Sequence, residues 1–177
     1  DLDISWLNKT NEIIDLGSVT VDTTSGGGAI QIGSNYQGGI IFYLEPGGLH
    51  GLIAAPYDQA HAPWGCYGTF IECTDKEIGT GQANTTLIVN MCGEGTAASI
   101  CNDLELNGYN DWFLPSYLEL KEICKVDAIG GFEPILYWSS TEAYKNYAIS
   151  VYMETGDGNN DQPKFNDAIR VRAIRAF

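Results

Sequence analysis

Residues 38–55 read GGIIFYLEPGGLHGLIAA, and this stretch decides the fold. Gly38 to Leu44 is rich in β-branched and aromatic residues and predicts a strand. Glu45-Pro46-Gly47-Gly48 is turn chemistry, with Pro fixing φ and Gly supplying positive φ. Leu49 to Ala55 returns as a second strand, so the main domain opens on a hairpin near Tyr36. Residues 56–80 follow as a long loop with Pro56, Pro63 and several glycines, a length that points to function.

Beyond that loop the period changes. Asn84 is a candidate N-cap for a helix with Leu87, Ile88 and Met91 on its apolar stripe. A second helix is predicted from Thr96 to Leu106, with Gly108 as its stop. Pro115 and Ser116 start a third, turning Leu118, Leu120, Ile123 and Cys124 to the core, with Glu119 in the first turn where the helix dipole favours a carboxylate. Strands return at 137–141, 147–153 and 168–177, and 156–163 reads as a long polar turn. Strands, then helices, then strands predict a segregated α+β domain. In the last strand Arg175 falls among the apolar positions, so it is either buried and paired or displaced by a bulge. Asp111 and Glu119 are the expected partners of Arg172 and Arg175, and Trp112 is expected to plug the core. Tyr137 and Trp138 alternate, one ring inward and one outward.

Residues 1–35 lack Cys and Pro and include the run Ser25-Gly26-Gly27-Gly28. Val19 and Val21 alternating with Thr20 and Asp22 suggest a short strand. This leader reads as the end of a stalk that packs on the domain or on copies of itself, with the main domain spanning 36–177.

The 177-residue chain has a formal charge of -14 and only nine Lys plus Arg. That balance excludes nucleic acid, which needs a dense basic surface, and disfavours anionic membranes and polysulfated glycans. No apolar run reaches the ~20 residues of a membrane helix, so insertion is not expected. Cations, neutral glycans and basic peptides remain. Five cysteines cannot all pair within one chain. Two bridges are expected, Cys66 with Cys73 and Cys92 with Cys101, leaving Cys124 buried and free; the alternative is five reduced core cysteines.

Four strings are specific in combination: the opening GGIIFYLEPGGLHGLIAA, WGCYG at 64–68, NGYNDWFLPSYLEL at 107–120 and YWSSTE at 137–142, closed by RVRAIRAF. In order and spacing they resemble the Lcl C-terminal-like domain family, that of the C-terminal domain of the Legionella collagen-like adhesin, over about residues 36–177. The resemblance implies a fold distantly like C-type lectins and sulfatase-modifying factors. It also implies homotrimers at the tips of extracellular, cell-surface proteins and an adhesive role. The sulfated-glycan ligand of the family's namesake does not suit a chain of this charge.

Candidate chemistry follows from residue type. Ten tyrosines and four tryptophans offer aromatic faces for sugar C–H surfaces, with polar neighbours for hydroxyls. The loops 56–80, 142–147 and 155–166 are the expected ligand surface, with Asp58, Trp64, Tyr67, Glu142, Tyr144, Tyr147 and Lys164 as binding residues. Asp157, Asn159 and Asp161 place hard oxygen donors at alternate positions, a candidate calcium site, although residues 162 and 168 break the EF-hand pattern. Ser139 and Ser140 lack a nucleophile-elbow setting, and Gly79 to Asn84 lacks the Lys-Ser/Thr ending of a phosphate loop. The expectation is a non-enzymatic domain that binds a surface glycan or a cell-surface receptor. The alternatives are a phage or predator fibre tip, a structural trimerisation cap, or an enzyme using a reactive cysteine pair and a metal.

Overall fold

The computed structural model describes residues 30–73 and 75–177. The leader's expected strand at 19–22 and its expected role in trimerisation lie outside the described residues. The elements run β1 (Asn35–Tyr36), β2 (Gly39–Leu44), β3 (Gly51–Ala54), β4 (Ala60–His61), α1 (Gly81–Cys92), α2 (Ala97–Asn102), α3 (Tyr117–Ile123), β5 (Leu136–Tyr144), β6 (Tyr147–Tyr152), β7 (Asp157–Pro163), β8 (Arg170–Val171) and β9 (Ile174–Ala176). They form an α+β domain of three short helices and two small sheets. One sheet is ordered β1-β2-β3-β9 and the other β4-β8-β5-β6-β7.

The opening hairpin forms as expected, closed by Glu45 N–H donating to His50 O. Glycine is obligatory at both of its ends. A Cβ on Gly39 would lie 2.3 Å from Ala54 O, and one on Gly51 2.2 Å from Tyr43 O. The last strand returns to this hairpin, β9 pairing antiparallel with β3, while β8 joins the other sheet between β4 and β5.

The five-stranded sheet separates two apolar clusters. Trp138, Ala148 and Val171 face a cluster with Trp64, Ile88 and Trp112. Tyr137, Val151 and Met153 face a second cluster with Phe42, Leu120 and Ile123. Both Tyr137 and Trp138 are therefore fully buried, which corrects the expectation that one ring points outward. Alternation holds, but both faces are covered.

Helix caps follow the sequence with one exception. Ser116 and Glu119 form a capping box at α3, and Thr96 and Ser99 another at α2. α1 starts earlier than Asn84, with Thr80 at its N-cap and a buried face of Gly81, Asn84, Thr85 and Ile88. Leu87 and Met91, expected in the core, are exposed. Hydrogen bonds set this rotation. Asn84 Nδ2 donates to Asp75 O at 2.6 Å, and Thr85 Oγ1 accepts from Leu114 N–H at 3.0 Å. Gly81 permits the approach, since a Cβ there would lie 2.2 Å from Glu119 Oε2.

Arg175 is buried and paired. Its Nε and Nη2 donate to the two Asp111 oxygens at 2.6 and 2.8 Å, which holds the Asp111 carboxyl below its usual range. Arg172 takes Asp58 instead, Nε to Oδ1 at 2.7 Å. Glu119 pairs with backbone: Gly79 and Ser116 N–H both donate to it at 2.7 Å. Burial nevertheless pushes its carboxyl up.

Candidate functional site

At the turn end of the β5–β6 hairpin the three expected loop regions meet over a buried ion pair. The Lys164 ammonium donates to Glu142 Oε1, and both side chains are fully buried. Lys164 Nζ also donates to Thr69 O at 2.9 Å and lies 4.6 Å from the centroid of the Trp64 ring. Glu142 accepts from Ile71 N–H at 3.0 Å and Glu72 N–H at 2.9 Å. Such a pair persists in a dry interior only when its remaining donors and acceptors are occupied, and these bonds occupy them.

The Lys164 backbone extends the junction. Its carbonyl accepts from Trp64 N–H at 2.9 Å and Gly65 N–H at 3.2 Å, and its own N–H donates to Asn146 O at 3.0 Å. Trp64 is fully buried, its Nε1 donating to Ser139 O at 2.8 Å. Gly65, at φ 105°, has no room for a side chain, because a Cβ would lie 2.6 Å from Thr96 Cγ2. One residue on, Cys66 is bonded to Cys92 of α1.

That disulfide replaces the two bridges expected from sequence. Cys73 and Cys101 are buried free thiols, and Cys124 is half-buried and free. Nearest-neighbour pairing fails because Pro63 O accepts from Ala97 N–H and Gly65 packs against Cys92 and Thr96, which brings Cys66 to the C-terminal end of α1. Burial, with a further push from the Glu142 charge, raises the Cys73 thiol to about 12. Burial raises Cys101 as well and moves Cys124 to about 11.

Above the ion pair lie aromatic side chains. Tyr67, Phe70, Tyr144, Tyr147 and Phe165 are all exposed, from 37% for Tyr147 to 64% for Tyr144. Tyr67 and Phe165 meet edge to face with ring centroids 5.0 Å apart. Tyr144 and Tyr147 pair across the hairpin turn, and Gly68 N–H donates to Lys145 O at 3.1 Å, joining the two loops. Residues 62–71, 143–149 and 162–166 carry only Lys145 and Lys164 as charged side chains, and Lys164 is inside. The exposed Glu72, Asp161 and Asp167 flank these stretches directly.

The expected binding residues thus divide. Tyr67, Tyr144 and Tyr147 are on the surface. Trp64, Glu142 and Lys164 are beneath it, beyond the reach of a ligand, and hold the loops that carry the surface residues. Asp58 is occupied elsewhere, accepting from Arg172 and, at 2.8 Å, from the Tyr137 hydroxyl. Phe70 and Phe165 were not expected in the site. Both lie within the loops 56–80 and 155–166 expected to carry the ligand, but neither was singled out there.

The stretch 156–163 is not a turn but the edge strand β7, with Asp157 to Pro163 paired to β6. Asn159 pairs with Ser150 and Gln162 with Ala148, so Asn160 and Asp161 together face Ile149. This bulge takes Asp161 out of the alternation that Asp157 and Asn159 share. Asn159 Oδ1 is already taken, accepting from Asp161 N–H at 2.9 Å. Among the described residues no group of three or more His, Cys, Asp or Glu side chains is placed to hold a metal ion. Among them, too, no helix is long and apolar enough to cross a membrane.

Comparison with protein-family models and with curated proteins returned no match.

Proposed function

We propose that this chain is an extracellular recognition domain of C-type-lectin-like architecture that binds a neutral surface glycan on the aromatic platform of Tyr67, Phe70, Tyr144, Tyr147 and Phe165. The observation that carries this reading is that five exposed aromatic residues lie on three chain segments tied together by the Tyr67–Phe165 ring contact, the Tyr144–Tyr147 pair and the Gly68 to Lys145 hydrogen bond. Exposed rings present flat apolar faces to sugar C–H surfaces, while the tyrosine hydroxyls and neighbouring backbone serve the sugar hydroxyls. A contiguous apolar patch on a soluble protein marks an interaction site. The rigid base beneath it lowers the ordering cost of binding. The resemblance in sequence adds an adhesive role at the tip of a homotrimeric surface protein, in which avidity multiplies weak single sites.

The reading assigns no covalent chemistry and no calcium to the platform. A glycan-array screen of the 177-residue chain, run with calcium and with chelator, tests it. Binding is expected in both conditions, with weak dependence on ionic strength because a neutral glycan carries no charge to be screened. Tyr67→Ala with Phe165→Ala is expected to weaken it by about tenfold or more. Binding unchanged in that variant sinks the platform, and absence of binding to every glycan sinks the glycan ligand. A monomer by light scattering removes the avidity component.

A further inference from the structure

The other end of the same hairpin carries a groove that the platform does not use. Leu136, Tyr152 and Asp157 form one row across β5, β6 and β7. Around them is an open groove of about 670 Å³, lined by the apolar Leu136 and Tyr152 and by the polar Asp157 and Asn159 on one side of the bulge and Asn160 and Asp161 at it. Leu136 and Tyr152 also line an adjoining apolar hollow with Ile135, Ala168 and Ile169. The groove's volume falls within the roughly 300–1,000 Å³ of small-ligand sites. Two rows inward, on the same face, lie Trp138, Ser150 and Asn159. The Ser150 hydroxyl there is the one buried side-chain polar atom among the described residues without a hydrogen-bond partner.

Tyr152 supplies an aromatic surface, and the polar lining supplies the carboxylates of Asp157 and Asp161 to accept from hydroxyl groups and the amide N–H groups of Asn159 and Asn160 to donate to them. No Lys, Arg or His lines the groove, so an anionic ligand meets only Asp157 and Asp161. We infer that this groove is a second binding site, for a neutral, hydroxyl-rich saccharide. It is built along β7, from the Leu136–Tyr152–Asp157 row, eight residue steps or about 25 Å from Tyr144 along β5, to Asp161, which faces Ile149 two residues from Tyr147. The inference extends the glycan-recognition reading to a second place and is tested separately from it.

The test is an NMR titration of the full chain with maltotriose, cellotriose and chitotriose at millimolar concentration, with and without a chelator. With at least one sugar, the backbone amides of Gly158, Asn160 and Asp161 are expected to shift, equally in chelator. Asn160→Ala with Asp161→Ala alters two exposed edge-strand residues and is expected to weaken that binding about tenfold. Tyr144→Ala with Phe165→Ala is expected to leave it unchanged. Shifts confined to Tyr67, Tyr144 and Phe165 overturn the groove and keep the platform. Shifts confined to the groove keep this site and remove the platform. Groove shifts that vanish in chelator overturn the metal-free site, and no groove shift with any of the sugars overturns the proposal.

Discussion

The two ends of the β5–β6 hairpin are built from similar polar sequence and held in opposite ways. At the turn end the charged side chains go inside: Lys164 and Glu142 are fully buried, and the loop they grip is also tied by the Cys66–Cys92 bond. At the open end the charged and amide side chains stay outside. There the chain turns through residues 153–156, with Gly156 N–H donating to Tyr152 O at 2.8 Å, and returns as an edge strand. The difference lies in how many hydrogen bonds the surroundings offer. Thr69 O, Ile71 N–H and Glu72 N–H converge on the buried pair and make burial tolerable. Asp157 accepts from the exposed Thr155 hydroxyl at 2.7 Å, no backbone N–H cluster surrounds it, and both Asp157 and Asp161 remain in solvent. The clamped end positions rings and the open end presents polar groups.

Substitutions that separate the two ends test this contrast, and the largest effect belongs to the ion pair. Lys164→Met leaves the Glu142 carboxylate buried without its cation and is expected to cost about 3–5 kcal/mol in urea unfolding. Adding Glu142→Leu is expected to recover most of that loss, because an apolar pair of similar volume needs no solvation. If the single variant is as stable as the parent, the turn end is not clamped by charge.

Next comes the disulfide. Cys66→Ser with Cys92→Ser opens a loop with a sequence separation of 26 and is expected to cost about 2–4 kcal/mol by thermal or urea unfolding. Platform binding is expected to fall with it, while groove binding stays. Thiol labelling then compares the ends directly. Cys124, half-buried with its Sγ 3.1 Å from Met153 Sδ, is expected to react slowly in the native state, faster as pH rises toward about 11. Cys73 and Cys101 are expected to react only on unfolding. Native labelling of Cys73 at the rate of Cys124 breaks the contrast. The smallest effect is Asn160→Ala on the exposed edge strand, expected within about 0.5 kcal/mol of the parent.

Much of this scaffold is legible in the residues. The hairpin follows from its glycines and Pro46, and α3 from Ser116 and Glu119. A charged residue at an apolar position left Arg175 either buried and paired or displaced by a bulge, with Asp111 and Glu119 as partners, and the fold was needed to choose burial and Asp111. Local chemistry carries the hairpin and α3, so they survive in a linear reading. The site is different. Tyr67, Tyr144 and Tyr147 could be named because unpaired tyrosines in loops have few other uses. Trp64, Glu142 and Lys164 were placed in the same loops but on the wrong side of the backbone, since a charge reads as exposed until its partner is known. The cystine was misassigned for the same reason: which sulfurs meet depends on a loop path to the end of α1 that no spacing encodes. Leu87 and Met91 show the converse, an apolar stripe overruled by Asn84 and Thr85, whose hydrogen bonds fix the rotation of the helix.

The placement of β8 and β9 also sets the order in which the molecule can assemble. Arg170–Val171 bridges β4 and β5 in one sheet, and Ile174–Ala176 completes the other beside β3. Neither sheet is whole until the same short segment, more than a hundred residues beyond β3 in the chain, has arrived. Closure therefore depends on contacts of very long sequence separation, which form slowly because the loop entropy is lost before the pairing rewards it. The two sheets are thus expected to close together, when that one segment docks.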